Sequence, residues 1–337
     1  MNSIEIPILD YSIVFPAYNE EENVTPLVER IEAVTAKLDG TYEIVIVDNG
    51  SYDSTPTVLD SLVYKYRSVV VVTLSRNFGY DGAISTGLEY ARGKWVIIMD
   101  GDQQDPPEVI PQLINKAKEG YSIVYGIRAR RTEGWLLGRQ IKMFYNLWKR
   151  IANIDIPRDA GNFSIISREV VDIINRMPER NKFIRGLRAW TGYPSAGILY
   201  QREERTRGKT KFSYLQYVNH AINGLTSFST VPLRIFTYVG AIGLLLCLLL
   251  GLYVLTASIA WLFGITFIIY PHVQGWATLA LLVLFGISIT LLGLGVIGEY
   301  IGRILEEVKS RPNFLVRRVV RASDMRSPVL AVRDEAK

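Results

Sequence analysis

Between Ile235 and Gly298 the chain carries no Asp, Glu, Lys or Arg, and apart from tyrosines and Cys247 its only titratable side chain there is His272. No single soluble helix accounts for so long an uncharged run. A bilayer core is about 30 Å thick and takes roughly 20 apolar residues of helix, so the run has room for two spans and a short connection. We place the spans near residues 234–262 and 274–298, with "GITFIIYPHVQ" and its Pro271 as the turn. The same length argues against one helical hairpin buried in a soluble core.

Orientation follows from the flanking charges. Arg202, Arg205, Arg207, Lys209, Lys211 and Arg234 precede the first span, Arg303, Lys309, Arg311, Arg317 and Arg318 follow the second, and the connection has none. Basic residues stay on the cytoplasmic side, so both termini are expected there and the loop outside. The opening "MNSIEIPILD" lacks a basic segment followed by an apolar one, and no cleaved signal peptide is expected. Cys247 is the only cysteine, which fits a reducing compartment. The net charge of +5 lies in residues beside the apolar run, which suits anionic headgroups and gives no reason to invoke nucleic acid. Three regions result: a cytoplasmic domain over 1–230, a two-helix membrane domain over 231–300, and a cytoplasmic tail over 301–337.

The first 130 residues alternate β-rich runs with helical patterns. "SIVFP" (12–16), "EIVIVD" (43–48), "VVVVT" (69–73), "WVIIMD" (95–100) and "SIVYGI" (122–127) read as strands. "ENVTPLVERIEAVTAKL", "STPTVLDSLVYKY", "YDGAISTGLEYAR" and "PPEVIPQLINKAKEG" read as helices between them. Strands apolar on both faces with helical crossovers predict a mostly parallel sheet in an α/β layer fold. Ligands of such sheets bind beyond the carboxyl ends of the strands, where "PAYNEE", "DNGSYDST", "SRNFGYDG" and "DGDQQD" fall.

In the last of these clusters Asp100 and Asp102 stand one residue apart after the apolar "WVIIM". Two close carboxylates repel when taken out of water unless a cation lies between them, and a divalent metal is the obvious cation. A solvated turn is the other reading of an Asp-x-Asp pair. The buried run before it and Gln103, Gln104 and Asp105 after it favour the site. Two further segments look amphipathic, "EGWLLGRQIKMFYNLWKRIA" (133–152) and "FSYLQYVNHAINGLTSF" (212–228). Aromatics on one face and Lys or Arg on the other suit helices in the headgroup plane, although packing on the sheet with a solvated basic face gives the same pattern.

"SIVFPAYNEEENV", "IVDNGSYDST" and "MDGDQQDPPE", in this order, resemble the family 2 glycosyltransferases with their nucleotide-sugar-binding GT-A fold, a Rossmann-like mixed sheet. "SRNFGYDGAISTGLEYARGKWVIIMDGDQQDPPE", "DAGNFSIISREV", "RTRGKTKFS" and "GEYIGRILEEVKSRPNF" narrow the match to the polyisoprenyl-phosphate glycosyltransferases, the group of dolichol-phosphate mannose synthase and the bacterial bactoprenol glucosyltransferases. The resemblance spans residues 10 to about 316. It implies an integral protein of the inner membrane that binds a nucleotide sugar through Pro16, Ala17, Tyr18, Glu20, Asp48, Asn77, Asp100, Gly101, Asp102 and Gln104. Asp100 and Asp102 are expected to hold Mg²⁺ or Mn²⁺ against the donor diphosphate. Asn49 stands where many relatives have a second Asp, which leaves uridine and guanosine both open.

The acceptor expected is a polyprenyl phosphate, largely a dianion at neutral pH and already nucleophilic. Such an acceptor asks for cations more than for a strong base, and Arg128, Arg131, Arg207, Lys209 and Lys211 are the candidates. Asp159 in "DAGNF" matches the family's acidic acceptor-region position and takes a base or alignment role. The reaction expected is a single inverting displacement on a nucleotide sugar. UDP-glucose leads by resemblance, with mannose, N-acetylglucosamine and aminoarabinose donors behind. A processive polysaccharide synthase would need a longer channel and a Gln-x-x-Arg-Trp motif, neither of which is present. A nucleotidyltransferase would open on a Gly-rich phosphate loop, which "PAYNEE" is not. A non-catalytic sugar-nucleotide sensor or flippase partner is the alternative of another class. Gly286, Gly293, Gly295 and Gly298 permit close helix approach, either between the two spans or in a homo-oligomer.

Overall fold

The computed structural model describes residues 9–128, 160–179, 182–203, scattered positions between 236 and 263, and 276–322. The chain divides into two compact units, one made of residues 1–150, 154–217 and 311–337, the other of 151–153 and 218–310.

The first unit is built on strands whose β-branched residues are buried on both faces. β1 (Leu9–Ala17), β2 (Tyr42–Asp48), β3 (Val69–Leu74) and β4 (Gly93–Ile98) are parallel neighbours in the order β4-β1-β2-β3. Every residue of β3 is buried, as a strand covered on both sides requires. α1 (Val24–Thr35) buries Val24, Leu27, Val28, Ile31 and Thr35, a stripe at steps of three and four. α2 (Thr55–Lys65) starts with Pro56 in its first turn, where no amide hydrogen bond is lost. α3 (Gly79–Tyr90) and α4 (Ile110–Lys118), the latter entered through a 3₁₀ turn at Pro107–Val109, complete the crossovers.

The rest of the sheet is mixed. β5 (Ile123–Arg128), β6 (Ala160–Ser167), β7 (Ser195–Tyr200) and β8 (Val316–Arg321) extend it to eight strands in the order β7-β5-β6-β4-β1-β2-β3-β8. β6 runs antiparallel to β4 and β5, β8 antiparallel to β3, and β5 parallel to its neighbour β7. The α/β expectation therefore holds as a mixed sheet. Two short helices, α5 (Arg168–Arg176) and α6 (Ile184–Trp190), fill the connection from β6 to β7.

At the amino end of the sheet one buried charge is fully engaged. Glu43, 2% exposed, accepts from Ser12 Oγ at 2.7 Å, from the Arg92 amide at 2.6 Å, and from Arg92 Nε and Nη2 at 3.0 Å each. This cluster ties β1, β2 and the start of β4 together, so the opposite ends of the same strands stand in a set register.

In the second unit α7 (Trp276–Val308) is continuous, about 50 Å long at 1.5 Å per residue. Within it Leu282–Val308 is the one described helix long and apolar enough to cross a membrane. The span expected at 274–298 is thus part of a longer helix that continues through Glu299, Arg303, Glu306 and Glu307. Most of the span expected at 234–262, and the whole of the amphipathic segments 133–152 and 212–228, lie outside the described residues. One contact links the two apolar stretches: a methyl added at Gly293 would stand 3.4 Å from Phe236 Cδ1. The segment 301–337 is not a separate tail, since residues 301–308 finish α7 and Val316–Arg321 form β8 in the sheet of the first unit.

Candidate active site

The carboxyl ends of β1, β2, β3 and β4 meet at one edge, and the loops that leave them are cross-braced. Pro16 and Ala17 end β1, Asp48 ends β2, Asn77 follows β3, and Asp100, Gly101 and Asp102 follow β4. Gly101 is required by proximity, because a Cβ there would lie 2.4 Å from the Pro16 carbonyl oxygen. Asn19 and Gln103 take left-handed backbone angles, φ 54° and 62°. Each costs about 1–2 kcal/mol for a residue with a Cβ and is held by neighbours. Asn19 NH donates to Ser51 Oγ at 3.0 Å and Asn19 Oδ1 accepts from the Tyr52 amide at 3.1 Å. Gln103 Nε2 donates to Asn23 O and Oδ1 at 3.3 and 3.2 Å. Glu20 receives Asn23 Nδ2 at 2.6 Å and gives its amide to Thr55 Oγ1 at 2.9 Å. Tyr18 and the exposed Tyr52 stand edge to face at 6.0 Å beside this loop.

Asp48 is buried, and one carboxylate oxygen accepts the Ser51 amide at 3.0 Å while the other has no partner among the described residues. Burial raises its pKa above the usual carboxylate range. An unsatisfied buried oxygen at the end of a strand is an acceptor in want of a donor, such as an imide N–H or a ribose hydroxyl. Asn49 turns the other way. Its Nδ2 donates to Gly79 O at 3.1 Å and Asn77 Oδ1 at 3.3 Å, and its Oδ1 accepts the Phe78 amide at 2.9 Å. A carboxylate could not donate those two bonds, so Asn is the better residue for this brace. Asn77 Oδ1 also accepts the Gly79 amide at 2.8 Å, which engages the side-chain oxygen expected to meet the nucleotide.

The Asp-Gly-Asp loop carries more protein partners than its sequence suggested. Tyr80, from α3, donates its hydroxyl to Asp100 Oδ1 at 2.8 Å. Arg202, two residues beyond β7, approaches Asp100 Oδ2 at 3.5 Å and Asp105 Oδ1 at 3.8 Å. Tyr200 donates to Asp105 Oδ1 at 2.6 Å. Burial, and after it Asp105 and Asp102, pushes Asp100 up to about 7. Burial also raises Asp105, and with the adjacent carboxylates it keeps the Tyr80 and Tyr200 hydroxyls protonated. Arg128, at the end of β5, is electrostatically coupled to Tyr200, Asp105 and Asp100. Asp102 Oδ1 accepts the Gln104 amide at 3.2 Å, and Gln104 Nε2 reaches Glu203 O at 3.5 Å.

Asp100 thus already has a tyrosine hydroxyl and a guanidinium beside it. Among the described residues no three carboxylates, imidazoles or thiols converge on one point. A hard cation at Asp102 would complete its shell with oxygens from a bound diphosphate, the usual arrangement for Mg²⁺ or Mn²⁺ in nucleotide enzymes, and the oxygen-only donor set fits it. Asp159, Arg131, Arg207, Lys209 and Lys211 lie outside the described residues. Tyr80, Tyr200 and Arg202 had no assigned site role in the sequence; the only local signal was that Tyr200, like Asp48 and Asp100, closes an apolar β run.

Residues 12–174 match the family model described as glycosyl transferase family 2. An uncharacterised glycosyltransferase of Synechocystis is 43% identical over 91% of this chain and 95% of its own. A prophage bactoprenol glucosyl transferase homolog of Escherichia coli is 38% identical over 91% of this chain and 98% of its own. The bactoprenol glucosyl transferase of Shigella phage SfII is 37% identical over 91% and 97%. Identity at this level over nearly the whole of both chains, with the braced Asp-Gly-Asp loop at the strand ends, makes this chain a glycosyltransferase that belongs to glycosyl transferase family 2.

Proposed function

We propose that the protein transfers glucose from UDP-glucose to the phosphate of a polyprenyl phosphate, undecaprenyl phosphate in a bacterial cell. The products are a polyprenyl-phosphate-linked β-glucose and a nucleoside diphosphate. The observation that carries this reading is the extent of the likeness to the bactoprenol glucosyl transferases. At 91% of this chain it has no room to omit the apolar run, so it is not confined to the nucleotide-binding half.

A lipid phosphate oxygen attacks the anomeric carbon, the bond from that carbon to the diphosphate oxygen breaks, and the configuration inverts. Mg²⁺ or Mn²⁺, when bound, neutralises the charge of the departing diphosphate. Asp102 would hold it. Asp48 offers the oxygen that has no partner among the described residues to the base or ribose. Arg128, which interacts electrostatically with Tyr200 and Asp105, offers a guanidinium fork suited to an anionic acceptor. Arg131, Arg207, Lys209 and Lys211 are proposed to join it, and Asp159 to align the acceptor.

Leu282, Phe285, Leu291, Leu292 and Leu294 of α7 are all more than half exposed, and in water such a surface would seek cover. A bilayer supplies it. Two antiparallel spans are supported by the approach of Phe236 to Gly293, which brings the start of the first apolar stretch to the later part of the second, and the flanking basic residues put both termini in the cytoplasm. A product left on the cytoplasmic leaflet calls for a flippase as partner, and Gly286, Gly295 and Gly298 of α7, which have no close neighbour among the described residues, leave room for a homo-oligomer.

The test is to incubate membranes holding the protein with polyprenyl phosphate, Mn²⁺ and radiolabelled UDP-glucose and to count label in the organic extract. Metal-dependent label, lost with EDTA and in Asp102→Asn, is the expected result. Label only with GDP-mannose or UDP-N-acetylglucosamine would correct the sugar. No label with any donor would reject transfer in favour of a sensor or flippase partner.

A further inference from the structure

Arg202 stands between the side chains of Asp100 and Asp105. Its Nη2 is 3.5 Å from Asp100 Oδ2 and its Nε 3.8 Å from Asp105 Oδ1, ion-pair distances without hydrogen-bond geometry. Both the Arg202 Nε and Asp105 Oδ2 are buried with no hydrogen-bond partner among the described residues. Buried polar atoms are nearly always satisfied, so two such orphans in one ion pair mark an arrangement with a second, better-satisfied state. The root of the side chain does not take part in that change. The Glu203 amide donates to Gln104 O at 3.0 Å, and Arg30 grips Glu203 through Nη1 and Nη2 at 3.0 and 2.8 Å while holding Glu108 as well. The guanidinium alone is loosely held, a quarter exposed at the rim of the loop.

We propose that Arg202 is the resident counter-cation of the Asp-Gly-Asp loop. Without donor it neutralises Asp100 and Asp105 and so opposes entry of a free divalent ion. Metal then enters together with the diphosphate, onto which the guanidinium transfers. A bare divalent ion approaching Asp100 and Asp102 meets the positive charge of Arg202 and the nearby Arg128. A metal–diphosphate complex brings its own negative oxygens, and a guanidinium pairs with these through two parallel N–H bonds, which the present contacts with Asp100 and Asp105 do not provide. That difference in partners is what a ligand needs to shift an equilibrium between two side-chain positions. Tyr80 and Tyr200 stay as donors to Asp100 and Asp105 when Arg202 leaves. The inference rests on the loop being a metal–diphosphate site, but its test needs no sugar transfer.

Full-length protein in detergent, stripped with EDTA, is titrated with Mn²⁺ while the electron paramagnetic resonance signal of the free ion is followed, with and without inorganic pyrophosphate and against protein-free blanks. Wild type is expected to bind Mn²⁺ weakly alone and about tenfold or more tightly with pyrophosphate, a coupling of ordinary size. Arg202→Gln is expected to bind Mn²⁺ alone about tenfold more tightly than wild type, and Arg202→Lys, which keeps the charge, to behave as wild type. Thermal unfolding establishes that the variants are folded. An unchanged Mn²⁺ affinity in folded Arg202→Gln overturns the proposal. If that variant does not fold, wild type alone decides: binding as tight without pyrophosphate as with it has the same consequence. Loss of lipid labelling with these metal affinities intact would reject the sugar-transfer reading and leave Arg202's role standing.

Discussion

Gly101→Ala tests whether the loop's position against β1 governs the chemistry. The added Cβ would sit 2.4 Å from Pro16 O, with Phe15 Cδ2 a further 3.5 Å contact. Carbon and oxygen settle at about 3.3 Å, so one side must give by roughly 0.9 Å. β1 cannot, because it is paired to β2 and β4 over most of its length and its residues 11–15 are buried. The loop moves instead, carrying Asp100 and Asp102 with it. A displacement near 1 Å of positioned groups costs about a hundredfold in rate, roughly 2.7 kcal/mol of barrier. Overpacking at one site costs about 1–3 kcal/mol of stability, so the protein remains folded at 25 °C. The assay is the initial rate of label transfer to lipid at saturating Mn²⁺, beside a melting curve. A folded variant within about threefold of wild type would refute the reasoning, since no uniform binding loss would then be masking a transition-state effect.

Asn49→Asp exchanges two donated bonds, to Gly79 O and Asn77 Oδ1, for repulsion between oxygens, and a lower melting temperature equivalent to about 1–3 kcal/mol is expected. An unchanged melting curve would mean that the brace is dispensable. Arg92→Ala leaves the buried Glu43 with Ser12 and an amide among the described residues, and unfolding in urea should show a loss of about 3 kcal/mol. In metal-free protein Asp100 is pushed up to about 7, so between the ordinary carboxylate range and pH 7 the folded state holds a proton that the unfolded state has released. Stability from this group therefore falls as pH rises through that window. Melting temperature after EDTA should be higher at pH 6 than at pH 8, with a smaller difference in Asp100→Asn; equal slopes in the two proteins would exclude Asp100 as the source.

The parallel half of the sheet was legible because each strand is a continuous β-branched run and each ends in a polar cluster. β2 was expected at 43–48 and occupies Tyr42–Asp48; β3 was expected at 69–73 and occupies Val69–Leu74. The other half gave weaker signals. "AGNFSIIS" of β6 opens on Gly and Asn, "SAGILY" of β7 is half exposed, and "VRRVVR" of β8 reads as a basic tail because an edge strand tolerates charge. In the site, Asp48, Asp100 and Asp102 could be named from their places after apolar runs. Tyr80 and Arg202 could not, since Tyr80 reaches Asp100 from a helix 20 residues earlier and Arg202 from beyond β7, about a hundred residues later, and no local pattern reports either. Asn49 shows the limit of reasoning by departure from a family: what looked like a missing charge is a pair of donated bonds to a neighbouring loop.

β8 also sets an order on synthesis. It pairs with β3 from Val70 to Leu74, yet the ribosome makes it only after the entire apolar run has been translated. At 5–20 residues per second the interval between Leu74 and Arg321 is on the order of 10–50 s, during which "VVVVTL" has an open edge. Such an edge is a template for pairing with other chains, and a nascent chain stalled in the membrane segment would keep it open. A protein truncated after Val308 would keep it open permanently, so C-terminal deletions should be recovered as aggregates even though they leave every residue of the Asp-Gly-Asp loop in place.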